Sequence, residues 1–260
     1  MPGLEAFLVS RFVVFTLVLA RTGALMATAP VFSTLAMPRQ VRAFLAVAMS
    51  LLVAPAFLNT SLPPTANLAE FGRLMVNEVL VGLLLGLGMQ LLFSGIQVAG
   101  QIISQLSGLS LADVFNPGFD EDVSIFSQLF YFLTIAVFVA VGGHRIVTSA
   151  LLDTFSSLPP GHAALGGGFV DVITAIVTQS FVLGIRAAAP LTVALLLANL
   201  VLGLISRTLP QINVIAVGFG VNSLLALGLM FLSIGAAAMV FQEPTMDVMQ
   251  NITESLVDSR

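Results

Sequence analysis

Residues Ile185–Asn222 read IRAAAPLTVALLLANLVLGLISRTLPQINVIAVGFGVN, two apolar runs joined by a short polar stretch. Pro210 has no N–H to give to a helix and pushes Leu209 towards extended geometry, so the chain must turn there. Arg207 stands at the C-terminal end of the first run, where its charge meets exposed carbonyls. Gln211 and Asn213 are placed to satisfy backbone groups that the turn frees. Arg207, Pro210, Gln211 and Asn213 thus read as the fixed tip of a helical hairpin, either a capped turn or a point that touches a passing substrate. Upstream, the apolar run reaches back to residue 172 and encloses Arg186 and Pro190. It is too long for one simple crossing, and is expected either to kink near Pro190 or to fold into two half-length helices.

The rest of the chain repeats this character. Of 260 residues, 58% are hydrophobic and 8% charged, against about 25% charged in ordinary soluble domains. The mean hydropathy is +1.06. This is the composition of an all-α integral membrane protein. All 9 basic residues are Arg, and 13 acids leave a net charge of −4, so no polybasic surface exists for nucleic acid. With no Cys, disulfides, thiol nucleophiles and Cys-based metal sites are excluded. Arg11, the apolar Phe12–Ala20 and the Ala-Thr-Ala at Ala27–Ala29 imitate a cleavable signal. Arg21 inside the run, Pro30 after the site and the apolar segments that follow favour a retained first helix.

About six apolar stretches are long enough to be helical membrane segments: 10–29, 41–58, 74–103, 125–151, 172–206 and 212–241. The two long loops between them are 104–124 and 152–171. Arg39, Arg42 and Arg207 fall on one side of such a serpentine, and Arg11, Arg73, Arg145 and Arg260 on the other, so the charge bias fixes no orientation. Helices held by protein neighbours rather than lipid would give this weak signal. The expected organisation is one helical membrane domain, 1–241, followed by a polar C-terminal tail, 242–260, as a short exposed helix or frayed end.

Polar residues inside the apolar segments carry the functional candidates. Gln90, Ser94, Gln97, Gln101 and Gln105 recur at spacings of three and four, on one helix face. Such a face avoids lipid and meets partner helices or water. Gly82 and Gly86, a small-xxx-small pair, let another helix approach the same segment. Single glutamines of this kind often only join helices within a bundle; the whole ladder points to a channel or subunit interface. Arg21, Glu78, Arg145 and Arg186 also lie in apolar surroundings, where a charge costs about 2.5–3.5 kcal/mol at mid-membrane. They are candidate buried charges, and Glu78 has Arg21 or Arg186 as its possible partner. Structural pairing is the simpler role for them, transport the alternative.

His144 and His162 each stand where a helix meets a loop, and no HExxH, nucleophile elbow or P-loop accompanies them. No catalytic, cofactor or metal site is therefore assigned. The loop at Gly108–Ser124 is unusually apolar at its centre. Leu109, Leu111, Val114, Phe115, Pro117 and Phe119 are a candidate plug, a hydrophobic closure of a conduit, or else a re-entrant loop packed for stability.

Taken in order, several segments together resemble one family. They are RTGALMATAPVFSTLAMPRQVR (Arg21–Arg42), LNTSLP, NEVLVGLLLGLG around Glu78, AGQIISQLSGLSLADVFNPG (Ala99–Gly118), GGHRIVTSALLDTFSSLPPG (Gly142–Gly161) and the opening stretch itself. The pattern is similar to the FliR family, export-gate subunits of the bacterial flagellar type III secretion system with counterparts in injectisomes. The chain departs from it at Gly220 and Asn222, where the family commonly has Pro and Lys. The resemblance implies a single-copy all-helical subunit, built of helical hairpins like a fusion of the FliP and FliQ folds. It also implies association with FliP and FliQ, proximity to FlhB and FlhA, unfolded flagellar subunits as cargo, and a place in the inner membrane at the flagellar basal body. The expected function is a non-enzymatic part of an export channel. A small secondary transporter, suggested by Pro190 and the buried charges, and an injectisome subunit are the alternatives.

Overall fold

A computed structural model describes residues 2–33, 37–58, 67–108, 124–163, 169–209, 211 and 213–258. Every regular element among them is helical. Helix α1 spans Pro2–Thr28 and ends where Pro30 restricts the residue before it. A single turn, α2, covers Pro30–Ser33. Helix α3 runs from Arg39 to Val53 behind Pro38 and tightens into a 3₁₀ turn, Ala54–Phe57. Helix α4, Leu68–Ser107, is 40 residues long. It stops at Gly108, whose φ of +81° suits a glycine at a helix C-terminus.

Helix α5, Ile125–Ala140, is capped by Ser124, whose hydroxyl oxygen accepts from the Ser127 N–H at 3.2 Å. Helix α6 covers Gly143–Ser157. The expected segment 125–151 is thus two helices, because Gly142 at φ +81° takes a left-handed conformation that other residues avoid. Helix α7, Phe169–Thr208, and helix α8, Val214–Asp258, have 40 and 45 residues.

One expectation is corrected here. Residues 172–206 do not fold back into a hairpin, for α7 is continuous through Arg186 and Pro190. The ring removes one hydrogen bond, to the Arg186 carbonyl, while strong helix formers on both sides retain theirs. The polar C-terminal stretch is helical to Asp258 as a continuation of α8, with Val248, Met249 and Ile252 buried and Met246, Asp247 and Gln250 exposed.

Four helices, Leu8–Thr28, Arg39–Phe57, Leu68–Ser107 and Val170–Thr208, are long and apolar enough to cross a membrane. Helices α5 and α6 make a fifth if taken as one broken span; the described apolar part of the sixth segment is Ala216–Leu232. Helices α4, α7 and α8 have 40, 40 and 45 residues, where about 20 are enough to cross a bilayer.

The chain divides into two compact units. The first comprises Met1–Leu91, Gly142–Ile176 and Thr245–Arg260. Its core holds Leu17, Leu25, Leu85, Leu151, Phe155 and Ile252. Helices α1 and α3 are joined there by a buried hydroxyl pair, Thr22 and Ser50, at 2.7 Å. The second unit comprises Leu92–Val141 and Val177–Pro244. Its core is built on Phe93, Ile96, Ile103, Phe126, Leu183, Leu195 and Ala226. The Phe93 ring meets Phe138 edge-on, with centroids 5.5 Å apart, the offset that ring quadrupoles favour.

Candidate functional site: a buried ion pair between α1, α4 and α6

Glu78, Gly82 and Gly86 share one face of α4 at intervals of four. Arg21, Ala24 and Thr28 share one face of α1 at intervals of three and four. The two faces meet. A Cβ on Gly82 would collide with the Arg21 carbonyl oxygen, and one on Gly86 with the Thr28 hydroxyl. The absence of those two carbons lets the backbones approach, and one turn earlier it brings the charged side chains together.

Arg21 Nε donates to Glu78 Oε2 at 2.7 Å, and both side chains are fully buried. The rest of the guanidinium is also occupied. Nη1 donates to the carbonyl and hydroxyl oxygens of Thr154 at 3.0 and 3.3 Å, and Nη2 to the Leu158 carbonyl at 3.0 Å. Its carbon lies 4.3 Å from the centre of the Phe155 ring, a favourable seat for a cation. On the other side, Glu78 Oε1 accepts from the Gly161 N–H at 2.8 Å. Gly161 reaches it with φ +85°. The neighbouring Asn77 Nδ2 donates to the Ala163 carbonyl at 2.8 Å.

Removing two charges from water costs several kcal/mol per ion, and their attraction repays it only when the remaining donors and acceptors are also matched. Here the match is nearly complete, and two of the acceptors and one donor are backbone groups of residues 154–161. The pair therefore does more than join α1 to α4. It fastens the end of α6 and the turn after it to both helices.

Of the sequence candidates, Arg21 and Glu78 are brought together, and Gly82 and Gly86 are used in the same contact, inside the chain. Arg145 and Arg186 are exposed; neither is a buried charge, and Arg186 is not the partner of Glu78. The glutamine face divides. Gln90 and Ser94 are half-buried and partnered. The Ser127 hydroxyl on α5 donates to the Gln97 carbonyl at 2.9 Å and to Gln101 Oε1 at 3.3 Å. The Gln101 and Gln105 side chains are exposed. At the hairpin tip, Arg207, Gln211 and Asn213 are exposed, and Asn213 Oδ1 accepts from the Ala216 N–H at 3.2 Å, capping α8. Pro210 lies outside the described residues, as do the plug candidates Leu109, Leu111, Val114, Phe115, Pro117 and Phe119.

Two elements of the site escape sequence reading. Leu158 and Gly161 contribute only backbone atoms, for which the one visible sign is Pro159-Pro160-Gly161, a turn. The second unit holds a smaller polar chain. Asn222 Nδ2 donates to Asn199 Oδ1 at 2.6 Å, and Asn199 Nδ2 to the Leu106 carbonyl at 3.1 Å. Asn222 is thus spent on joining α7, α8 and the end of α4.

Fold and site together define an all-helical membrane protein in which a buried ion pair holds the chain's own helices. Bacterial export proteins, family 1, match residues 12–248. The flagellar biosynthetic protein FliR of Caulobacter vibrioides is 31% identical over 230 residues, 88% of this chain and 92% of its own length. FliR of Escherichia coli K12 is 32% identical over 212 residues, 82% of this chain and 80% of its own. FliR of Pectobacterium carotovorum is 34% identical over 221 residues, 81% and 79% of the two chains. The chain belongs to this family of bacterial export proteins, which it shares with the flagellar biosynthetic proteins FliR.

Proposed function

We propose that this chain is a structural, non-enzymatic subunit of a flagellar type III export gate, forming part of the channel by which unfolded flagellar subunits cross the inner membrane. FliP and FliQ are its partners in the gate, and FlhB and FlhA its neighbours in the export apparatus. The observation that carries the reading, beside family membership, is the mismatch between helix length and bilayer. Exposed apolar residues on α7 run from Val170 through Ile185 and Leu197 to Ile205, in a helix of 40 residues. A bilayer core takes up about 20 of them. The remainder requires protein neighbours, as a subunit of a larger helical assembly has. Within that assembly the exposed amides Gln101 and Gln105 face either the path or an adjoining subunit. Resemblance to a fusion of the FliP and FliQ folds is the companion proposal.

Deleting the gene and measuring hook protein and flagellin outside the cell tests the reading. Loss of both, restored by a plasmid copy, is expected. Normal export of both would refute it and leave the injectisome or transporter alternatives.

A further inference from the structure

Of the four helices able to cross a membrane, α1 is the least apolar over its crossing stretch, Leu8–Thr28. Two arginines divide that stretch. Between Arg11 and Arg21 only the nine residues Phe12–Ala20 run without a charge, where about 20 are needed to cross. Arg21 stands close to the middle of Leu8–Thr28, and a cation at mid-membrane lowers the insertion equilibrium on the order of a hundredfold. Helix α4 carries no such burden. After Glu78 no charged residue occurs in Val79–Ser107, a run long enough to cross unaided.

In the folded chain the burden on α1 is lifted from far along the sequence. Arg21 is fully buried, and its partners Glu78, Thr154 and Leu158 follow it by 57, 133 and 137 residues. Thr154 and Leu158 offer neutral oxygens, so Glu78 brings the countercharge. From Arg21 to the start of α4 at Leu68 the sequence holds no acid, and the contact α3 makes through Ser50 to Thr22 is neutral. Nothing made before α4 can therefore neutralise Arg21. Helix α4 is also shaped to deliver its carboxylate, because Gly82 and Gly86 have no Cβ to hold α1 away.

We infer that α1 is a conditional span: it stays across the membrane only once α4 has brought Glu78 to Arg21, so the ion pair sets the topology of the N-terminal helix as well as its packing. The dependence is one-sided. Without Glu78 the lone cation draws α1 out of the bilayer, whereas without Arg21 both helices still cross. The inference rests on the chain's membrane character and not on what it exports.

The chain contains no Cys, so a single thiol at either end of α1, Gly3→Cys or Gln40→Cys, reports the side on which that end lies. Full-length chain made in a short pulse is treated with a membrane-impermeant maleimide in right-side-out and in inverted vesicles. With Arg21 and Glu78 in place, the two thiols should label from opposite faces. In Glu78→Leu both should label from the same face in most of the chain. In Arg21→Met, which loses the same pair, and in the double variant Arg21→Met, Glu78→Leu, they should again label from opposite faces. A role in packing alone would move Glu78→Leu and Arg21→Met alike. Opposite faces in Glu78→Leu would overturn the inference, as would one face in Arg21→Met or in the chain with both charges present.

Discussion

The polar cluster of the first unit and that of the second solve one problem at different stakes. Arg21 and Glu78 are ionised and fully buried, and their donors and acceptors are occupied by α4, α6 and the turn after it. Asn199 and Asn222 are neutral and leave a gap, for Asn222 Oδ1 is buried without a hydrogen-bond partner among the described residues. An unpaired buried charge costs far more than an unpaired amide. Of these two clusters, the one that buries charge is the more completely matched.

That contrast is broken most severely at Glu78. Glu78→Leu or Arg21→Met leaves one charge buried alone, and each should destabilise the protein by about 3–5 kcal/mol, seen as a lost or strongly lowered thermal transition of the purified chain. The double variant Arg21→Met, Glu78→Leu leaves no charge behind and should cost no more than the worse single one. A cost equal to the sum would mean that the two groups act independently.

Gly82→Ala acts on the same pair through the backbone. Its Cβ must displace the Arg21 carbonyl, and overpacking of this kind costs about 1–3 kcal/mol. Gly72, which has open space around it, supplies the comparison, and Gly72→Ala should be neutral or slightly stabilising.

In the second unit, Asn199→Leu should cost about 1–3 kcal/mol. It leaves both the Leu106 carbonyl and Asn222 Nδ2 unpaired. Asn222→Leu strands only Asn199 Oδ1 and should cost less, so the order of the two thermal transitions checks the direction of the chain. The smallest effect is expected at the hairpin tip, where Asn213→Ala removes one exposed cap worth about 1 kcal/mol; amide exchange confined to the first turn of α8 would report it.

How much of this was legible in the sequence follows from how local each signal is. The apolar runs gave the helices, and the four-residue spacing of Gly82 and Gly86 announced a close approach without naming α1 as the partner. Glu78 had two possible cations, because pairing across 57 residues leaves no local pattern. The backbone partners Leu158 and Gly161 leave almost none. Pro190 misled in the other direction: proline reads as a breaker, yet one missing hydrogen bond among 40 residues did not end α7. At the C-terminus, Val248, Met249 and Ile252 form a short helical apolar face, outvoted in composition by the polar residues around them.

The claim that Arg21 and Glu78 hold the chain together, rather than act on what passes through a gate, is tested most directly by export per copy. Secreted hook protein and flagellin would be measured in the double variant Arg21→Met, Glu78→Leu and divided by the amount of chain in the membrane. The account predicts a ratio within about twofold of the unaltered protein, even if fewer copies accumulate, since an apolar pair can replace a structural ion pair. A chain present at normal level, with export abolished, would show that the two charges serve the conduit itself.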